Sequence, residues 1–401
     1  MKIAGIVAEY NPFHNGHAHH IDRTRAPEGD CAATHVVAVM SGSFVQRGEP
    51  ALLPKADRVR MALAGGVDLV IELPLPWCLS SAEGFAYGAV SLLDALGCVD
   101  VLSFGSEAGD ISALEKAADV LESPRFPPLL RYRMEGGHPF PEARQKAVAE
   151  IAGEKTAALF ASANNTLGIE YIKALRRLRS PMNCFTVARF GAGHDSLQPL
   201  GDMASASYIR QLLQGGHPLN AAPYMPPACY ALLCRALEEG SAPAKVSLIE
   251  RAVLARLRLL SKEEWAALPD ISEGLENRLY AAAQQAGSWE ELVTAVKTRR
   301  YPLTRLQRVL WAAFLGLPAG YVGRRPPYIR VLGMNERGRE ILGAAKGASL
   351  PVVSKPSQIQ ALGREAAELL KLESRASDLY ALCLPVPLPC GAAYTTGVLH
   401  A

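Results

Sequence analysis

Along the first 105 positions, short and mostly apolar runs alternate with longer stretches whose apolar residues recur every three or four places. The runs Ile3 to Ala8, His35 to Met40, Val67 to Leu73 and Val99 to Phe104 are rich in Val, Ile and Leu, as strands buried on both faces are. Between them, His14 to Thr24, Pro54 to Ala64 and Ser81 to Leu96 read as helices. Strand and helix in alternation predict an α/β fold with a parallel, doubly wound, Rossmann-like sheet.

The pattern then changes. Asp110 to Gly153 is helix-rich, Leu167 to Leu178 continues it, Asn183 to Phe190 is strand-like, and a helix from Ser205 to Leu213 stops at Gly215-Gly216. Residues 1–217 are therefore expected to form a first domain. Pro218, Pro223, Pro226 and Pro227 mark a linker or domain edge, after which Ser247 to Leu315 is amphipathic helix, giving a helical region over 218–327. YIRVLGMN at Tyr328 to Asn335 and PVVSK at Pro351 to Lys355 predict a small α/β subdomain over 328–401, with a Pro- and Gly-rich tail.

Composition adds limits. A chain of 401 residues with 49% hydrophobic and 20% charged residues has ample core for two or three domains and is not a disordered polymer. The opening MKIAGIVAEY is too short before Glu9 for a signal peptide or a membrane span, so a cytoplasmic protein without membrane contact is expected. Eight cysteines without a CxxC pair predict no metal site. A net charge of +3 means that any polyanion site is local, with Lys173 to Arg179 and Lys297 to Arg308 the densest basic segments.

The candidate chemistry lies in EYNPFHNGHAHH, Glu9 to His20, directly after the first strand. His14 and His17 are three apart, so on a first helical turn they share a face and can point into the crevice at the strands' carboxyl ends. Gly16 puts no side chain between them, and a helix start offers N–H groups and a positive dipole end to phosphate. Imidazole donors there could stabilise charge on a transferring phosphoryl group. Zinc binding is the rival reading, because His17 and His20 also share a face, but no acidic third ligand stands nearby in sequence.

The HxGH string resembles the signature of the HIGH-type nucleotidyltransferases, whose second motif is matched loosely by Ser205, Ser207 and Arg210 in MASASYIRQLL. Longer strings resemble the bacterial tRNA(Met) cytidine acetate ligases: VAEYNPFHNGH, MSGSFVQRGEPA, GVDLVIELP, FGSE, ANNTLGIEYIKAL, ARF, EGLENRL, KTRRYPLTRLQR and YIRVLGMN, across residues 1–345. LLPKAD after GEPA departs from the family's usual Ser-Lys-aromatic stretch but keeps Lys55, and RRYP stands where KRYT is common.

That resemblance implies an ATP-dependent ligase that makes acetyl-adenylate from acetate and acetylates the N4 amine of the wobble cytidine of elongator tRNA(Met). Catalytic roles would fall to His14, His17, Lys55 and Arg210. ATP would be held by Val7, Ala8, Glu9, Tyr10, Asn11, Pro12, Phe13, His14, Asn15, Gly16, His17, Ala18, His19 and His20, with Gly105, Asn164 or Asn165, Arg189 and Phe190. Mg2+ would accompany the ATP. Ser41, Gln46 and Arg47 are candidates for carboxylate or base recognition, and Arg299, Arg300, Arg305 and Arg308 for tRNA phosphates; no protein partner is implied. The alternative is transfer of AMP to a small phosphomonoester or cofactor precursor, and a third possibility is a nucleotide-binding module without catalysis.

Overall fold

The structure, a computed structural model, describes residues 1–189, 198–272, 274–299 and 301–401. Ten strands occur among them: β1 (Ile3–Ala8), β2 (His35–Ser41), β3 (Phe44–Val45), β4 (Glu49–Pro50), β5 (Leu69–Leu73), β6 (Val101–Ser106), β7 (Asn183–Ala188), β8 (Ile329–Met334), β9 (Val352–Val353) and β10 (Leu399–His400). The four apolar runs of the N-terminal region become β1, β2, β5 and β6. With β7 they pair in parallel in the order β5-β2-β1-β6-β7. Because the chain builds outward from β1 in both directions, the order reverses between β1 and β6, and a crevice opens there at the carboxyl ends.

Every residue of β2 and β5 is buried, since helices cover both sheet faces. Successive side chains go to opposite sides. Val37, Val39, Leu69 and Ile71 join the core beneath the helix Ala82–Leu96. Val36, Ala38, Met40 and Val70 join a second core with Val59, Met61, Ala62 and Leu63 of the helix Lys55–Ala64.

The segment 328–401, expected as a small α/β subdomain, supplies strands that extend this sheet. β8 pairs antiparallel with β5, Val70 opposite Gly333, and β10 pairs parallel with β8. The physical reason is the edge: β5 is apolar on both faces and would otherwise expose an unpaired row of backbone groups. β8 has the matching apolar character. The expected tail thus ends in a strand. Likewise, the proline-rich stretch after 217 is not an open linker: it forms a 3-10 turn, Pro218–Tyr224, and the helix Pro227–Glu238. Cys229, Leu233 and Ala236 of that helix share the core with Met61.

The helical region returns to the sheet through the helix Leu303–Leu315, which packs on the β3–β4 hairpin. The Phe44 and Trp311 rings lie 4.9 Å apart. Gly48, at φ 74°, turns the hairpin; a Cβ there would fall 2.5 Å from the Arg308 nitrogen, so only glycine lets the two backbones meet. Among the described residues no helix is long and apolar enough to cross a membrane.

Candidate active site

The turn after β1 is built to aim two imidazoles. His14 is the N-cap of the helix Asn15–Arg25: its Nδ1 accepts from the Gly16 N–H at 3.0 Å, while the His14 N–H donates to His17 Nδ1 at 3.2 Å. This reciprocal capping satisfies two amide donors that the helix would otherwise leave open. It also sets the tautomers. A neutral imidazole whose Nδ1 accepts carries its proton on Nε2, so both rings are Nε2–H donors.

The rings stack with centroids 3.8 Å apart. Burial, together with His14, Arg189 and His20, holds the His17 pKa well below the ordinary imidazole value, which keeps it neutral. Tyr10 and Phe13 back His17 at 5.0 and 5.4 Å. Gly65 makes room behind them, since a Cβ there would meet the Phe13 ring at 2.2 Å. At Gly16 an added Cβ would come 2.9 Å from His14 Cε1, so this glycine accommodates the histidine ring as well as any ligand.

His20 has a different task. Thr24 Oγ1 donates to the His20 carbonyl at 2.8 Å, Ser103 Oγ lies 2.7 Å from Thr24 Oγ1, and His20 Nε2 lies 2.9 Å from Ser103 Oγ. Thr24 has spent its proton on the carbonyl, so Ser103 donates to Thr24 and His20 Nε2–H donates to Ser103. Burial first, then Arg189 and His19, takes the His20 pKa down to about 4. It pins the helix to β6.

These groups border a cleft of about 580 Å³ at the β1–β6 switch point. Its lining includes Val7, Ala8, Glu9, Tyr10, Asn11, His14, His17, His20, Gly105, Asn164, Arg189, Ser205, Ser207 and Arg210. Gly16 and His19 line a small adjoining recess. Four guanidiniums, Arg47, Arg144, Arg189 and Arg210, and one carboxylate, Glu9, face the cleft, a balance that suits a polyanion. The second motif arrives where its spacing implied. Ser205 caps the helix Ala206–Gln214, and Arg210 bonds the Asn11 carbonyl at 3.0 Å and Ser207 Oγ at 3.1 Å.

Several expected residues lie elsewhere. Lys55 does not line the cleft: its ammonium sits 2.5 Å from the buried Glu72 carboxylate, which Arg330 also engages at 3.3 Å. Pro12, Phe13, Asn15 and Ala18 are outside the lining as well; Asn15 Nδ2 instead ties the turn to the Asp202 and Pro223 carbonyls. Of the asparagine pair, Asn164 lines the cleft and donates to Glu107 Oε1 at 2.6 Å, whereas buried Asn165 holds the Ala108 N–H at 2.9 Å. Gln46 and Arg47 reach the rim, and Ser41 is fully buried at the end of β2. Phe190 and Arg300 lie outside the described residues.

Among the tRNA candidates, Arg299 is exposed. Arg305 is turned to Asp270 at 3.2 Å and Ser272 at 2.8 Å. Arg308 is only 7% exposed and bonds the Gln46 carbonyl at 3.3 Å, which ties it to the hairpin. Phe85, Phe104, Phe160, Tyr171 and Arg144 also line the cleft and were not singled out from sequence. One signal existed for Tyr171: it is seven residues from Asn164, two turns along the same helix face.

Known proteins match this chain along nearly its whole length. Residues 1–389 match the family model described as HIGH Nucleotidyl Transferase. A tRNA(Met) cytidine acetate ligase from Alkaliphilus metalliredigens is 39% identical over 96% of this chain and 95% of its own. One from Syntrophotalea carbinolica is 41% identical over 96% and 95%. The chain belongs to the tRNA(Met) cytidine acetate ligase family. A crystal structure of Thermotoga maritima TmcAL in its apo form superposes with a TM-score of 0.94 at 32% identity, covering all of both chains. Another, described as bound with alpha-thio ATP, gives 0.91 at 31% identity, again over all of both chains. The family resemblance carried by HNGH and the long strings therefore holds over the full fold, including the C-terminal strands that complete the sheet.

Proposed function

We infer that this chain is an ATP-dependent ligase that acetylates the N4 amine of the wobble cytidine in elongator tRNA(Met). The observation that carries this reading is the cationic cleft at the switch point, with two neutral Nε2–H imidazoles on one side and Arg210 on the other, in a chain similar throughout to ligases of that name. ATP lies along the cleft with its triphosphate against His14, His17 and Arg210. An acetate oxygen attacks the α-phosphorus, pyrophosphate departs, and the imidazole donors and guanidinium stabilise the charge that grows on the phosphoryl oxygens. The amine then attacks the acetyl carbon, and AMP leaves.

Neutral imidazoles held as N–H donors and guanidiniums suit phosphate oxygens and do not coordinate Mg2+. A magnesium ion would therefore be carried by the nucleotide's own phosphates and would supply neutralisation of their charge. The helical region 218–327, with Arg299 exposed, is the surface assigned to the tRNA stem, bound through its phosphates. No protein partner is needed for either step, and both substrates place the reaction in the cytoplasm. Two assays test the reading. Incubation with ATP, acetate and tRNA should yield N4-acetylcytidine by nucleoside mass analysis, and ATP–pyrophosphate exchange should depend on acetate. Exchange that depends on a phosphomonoester instead would overturn it.

A further inference from the structure

The cytidine N4 lone pair is delocalised into the ring, so the amine becomes an effective nucleophile only if it loses a proton as its bond to the acetyl carbon forms. Something in the cleft must accept that proton. The three histidines of the cleft are poorly suited: Nδ1 of His14 and of His17 already accepts an amide N–H, their Nε2 atoms carry protons, and His20 Nε2 donates to Ser103. Glu9 is the one carboxylate among the described lining residues.

Its geometry is that of a held base. Oε1 accepts from the Gln46 N–H at 2.6 Å, and the Glu9 carbonyl is gripped by Arg58 at 2.7 Å, so backbone and side chain are both fixed. Oε2 takes part in none of the hydrogen bonds among the described residues. We propose that Glu9 Oε2 accepts a hydrogen bond from the cytidine N4 amine and takes its proton as that amine attacks acetyl-adenylate. A carboxylate is the natural acceptor for this exocyclic amine. In the step, the N4–C bond forms, the bond between the acetyl carbon and the phosphate oxygen breaks with its electron pair going to AMP, and the N4 proton passes to Glu9 and later to water.

Burial raises the Glu9 pKa, while the Gln46 N–H and the facing Arg210, Arg58 and Arg47 oppose that rise. The Tyr171 hydroxyl and Cys78 thiol lie near enough to feel its charge. A base whose pKa is lifted toward neutrality matches general-base work better than an ordinary carboxylate.

The proposal rests on the ligase reading, and the test separates the two. The full chain and its Glu9→Gln variant are compared in acetate-dependent ATP–pyrophosphate exchange and in single-turnover transfer of labelled acetate to tRNA. Glutamine keeps the size and the acceptor for the Gln46 N–H but takes no proton. The ratio of transfer to exchange should fall by at least about tenfold, reaching on the order of a hundredfold where proton transfer limits the rate. Wild-type transfer should rise with pH through the Glu9 ionisation, Glu9→Gln should lack that limb, and Glu9→Asp should recover part of it. A smaller fall, or the same pH limb in Glu9→Gln, overturns the proposal and leaves the departing phosphate as the acceptor. If the wild-type chain itself shows neither exchange nor acetylcytidine, the ligase reading falls and the role of Glu9 with it.

Discussion

Arg210 Nη1 donates to the Asn11 carbonyl at 3.0 Å, joining the turn that carries the histidines to a helix 199 positions later. One guanidinium thus fixes the backbone of the first motif and brings its positive charge to the cleft wall. The two motifs that bracket the nucleotide-binding half act as a unit because this bond sets their distance.

Arg210→Ala therefore removes both a charge and a positioning bond. Acetate-dependent exchange should fall on the order of a hundredfold or more. Arg210→Lys restores charge without the planar fork and should recover ATP affinity more than turnover. Exchange by Arg210→Ala within about threefold of wild type would show that the second motif contributes no transition-state charge.

How much of this was legible in the chain depends on distance along it. The strands β1, β2, β5 and β6 and the helices between them are visible because buried parallel strands and amphipathic helices each leave a local period. β8 is equally apolar, but nothing local says that it will bond β5 some 260 residues earlier, as Val331 does opposite Ile71. Lys55 follows the same logic. The sequence offers Lys55 only as the lysine that the family resemblance keeps after GEPA; the fold reveals Glu72 across from it. Arg308 belongs to a basic string whose charge pattern does not say which way each residue faces. The asparagine pair was ambiguous for a simpler reason: adjacent helical residues point 100° apart, and only one can face the cleft.

The histidine tautomers lead to a pH prediction. His17 works as a neutral donor, and its pKa is held well below the ordinary imidazole value by burial and by three cationic or polarisable neighbours. Protonation would put a hydrogen on Nδ1 and break its bond to the His14 N–H. Since the depressed pKa favours the neutral form, exchange should stay level as pH is lowered from about 8 through 6.5 and decline only below that. A decline centred near 6.5 would mean that His17 titrates freely and is not held by the cap. His17→Ala should lose on the order of a hundredfold in exchange at every pH in that range.

Lys55 is expected to matter for stability and not for chemistry. Its removal in Lys55→Met leaves the 2% exposed Glu72 with Arg330 as its remaining close cation. Breaking a buried pair from one side costs about 3–5 kcal/mol. The melting temperature should drop clearly, while exchange per folded molecule at low temperature stays within about threefold of wild type. Lost exchange at an unchanged melting temperature would return Lys55 to the triphosphate.

The basic string Lys297 to Arg308 should split into two behaviours. Arg299 is exposed, so Arg299→Glu should weaken tRNA binding and lower the slope of log affinity against log salt by about one, the signature of a lost phosphate contact. Arg308 is buried between the Gln46 carbonyl and Asp270, where burial pushes its pKa down and Asp270 opposes that shift. Arg308→Ala removes the guanidinium that ties the helix Leu303–Leu315 to the β3–β4 hairpin, and leaves the Gln46 carbonyl without this donor. A loss of about 1–3 kcal/mol in stability follows from that unsatisfied acceptor. Its tRNA affinity and salt slope, measured well below the melting temperature, should match wild type. A salt slope reduced by Arg308→Ala and untouched by Arg299→Glu would reverse the assignment, placing the tRNA stem against the hairpin side of this helix instead of the exposed loop before it.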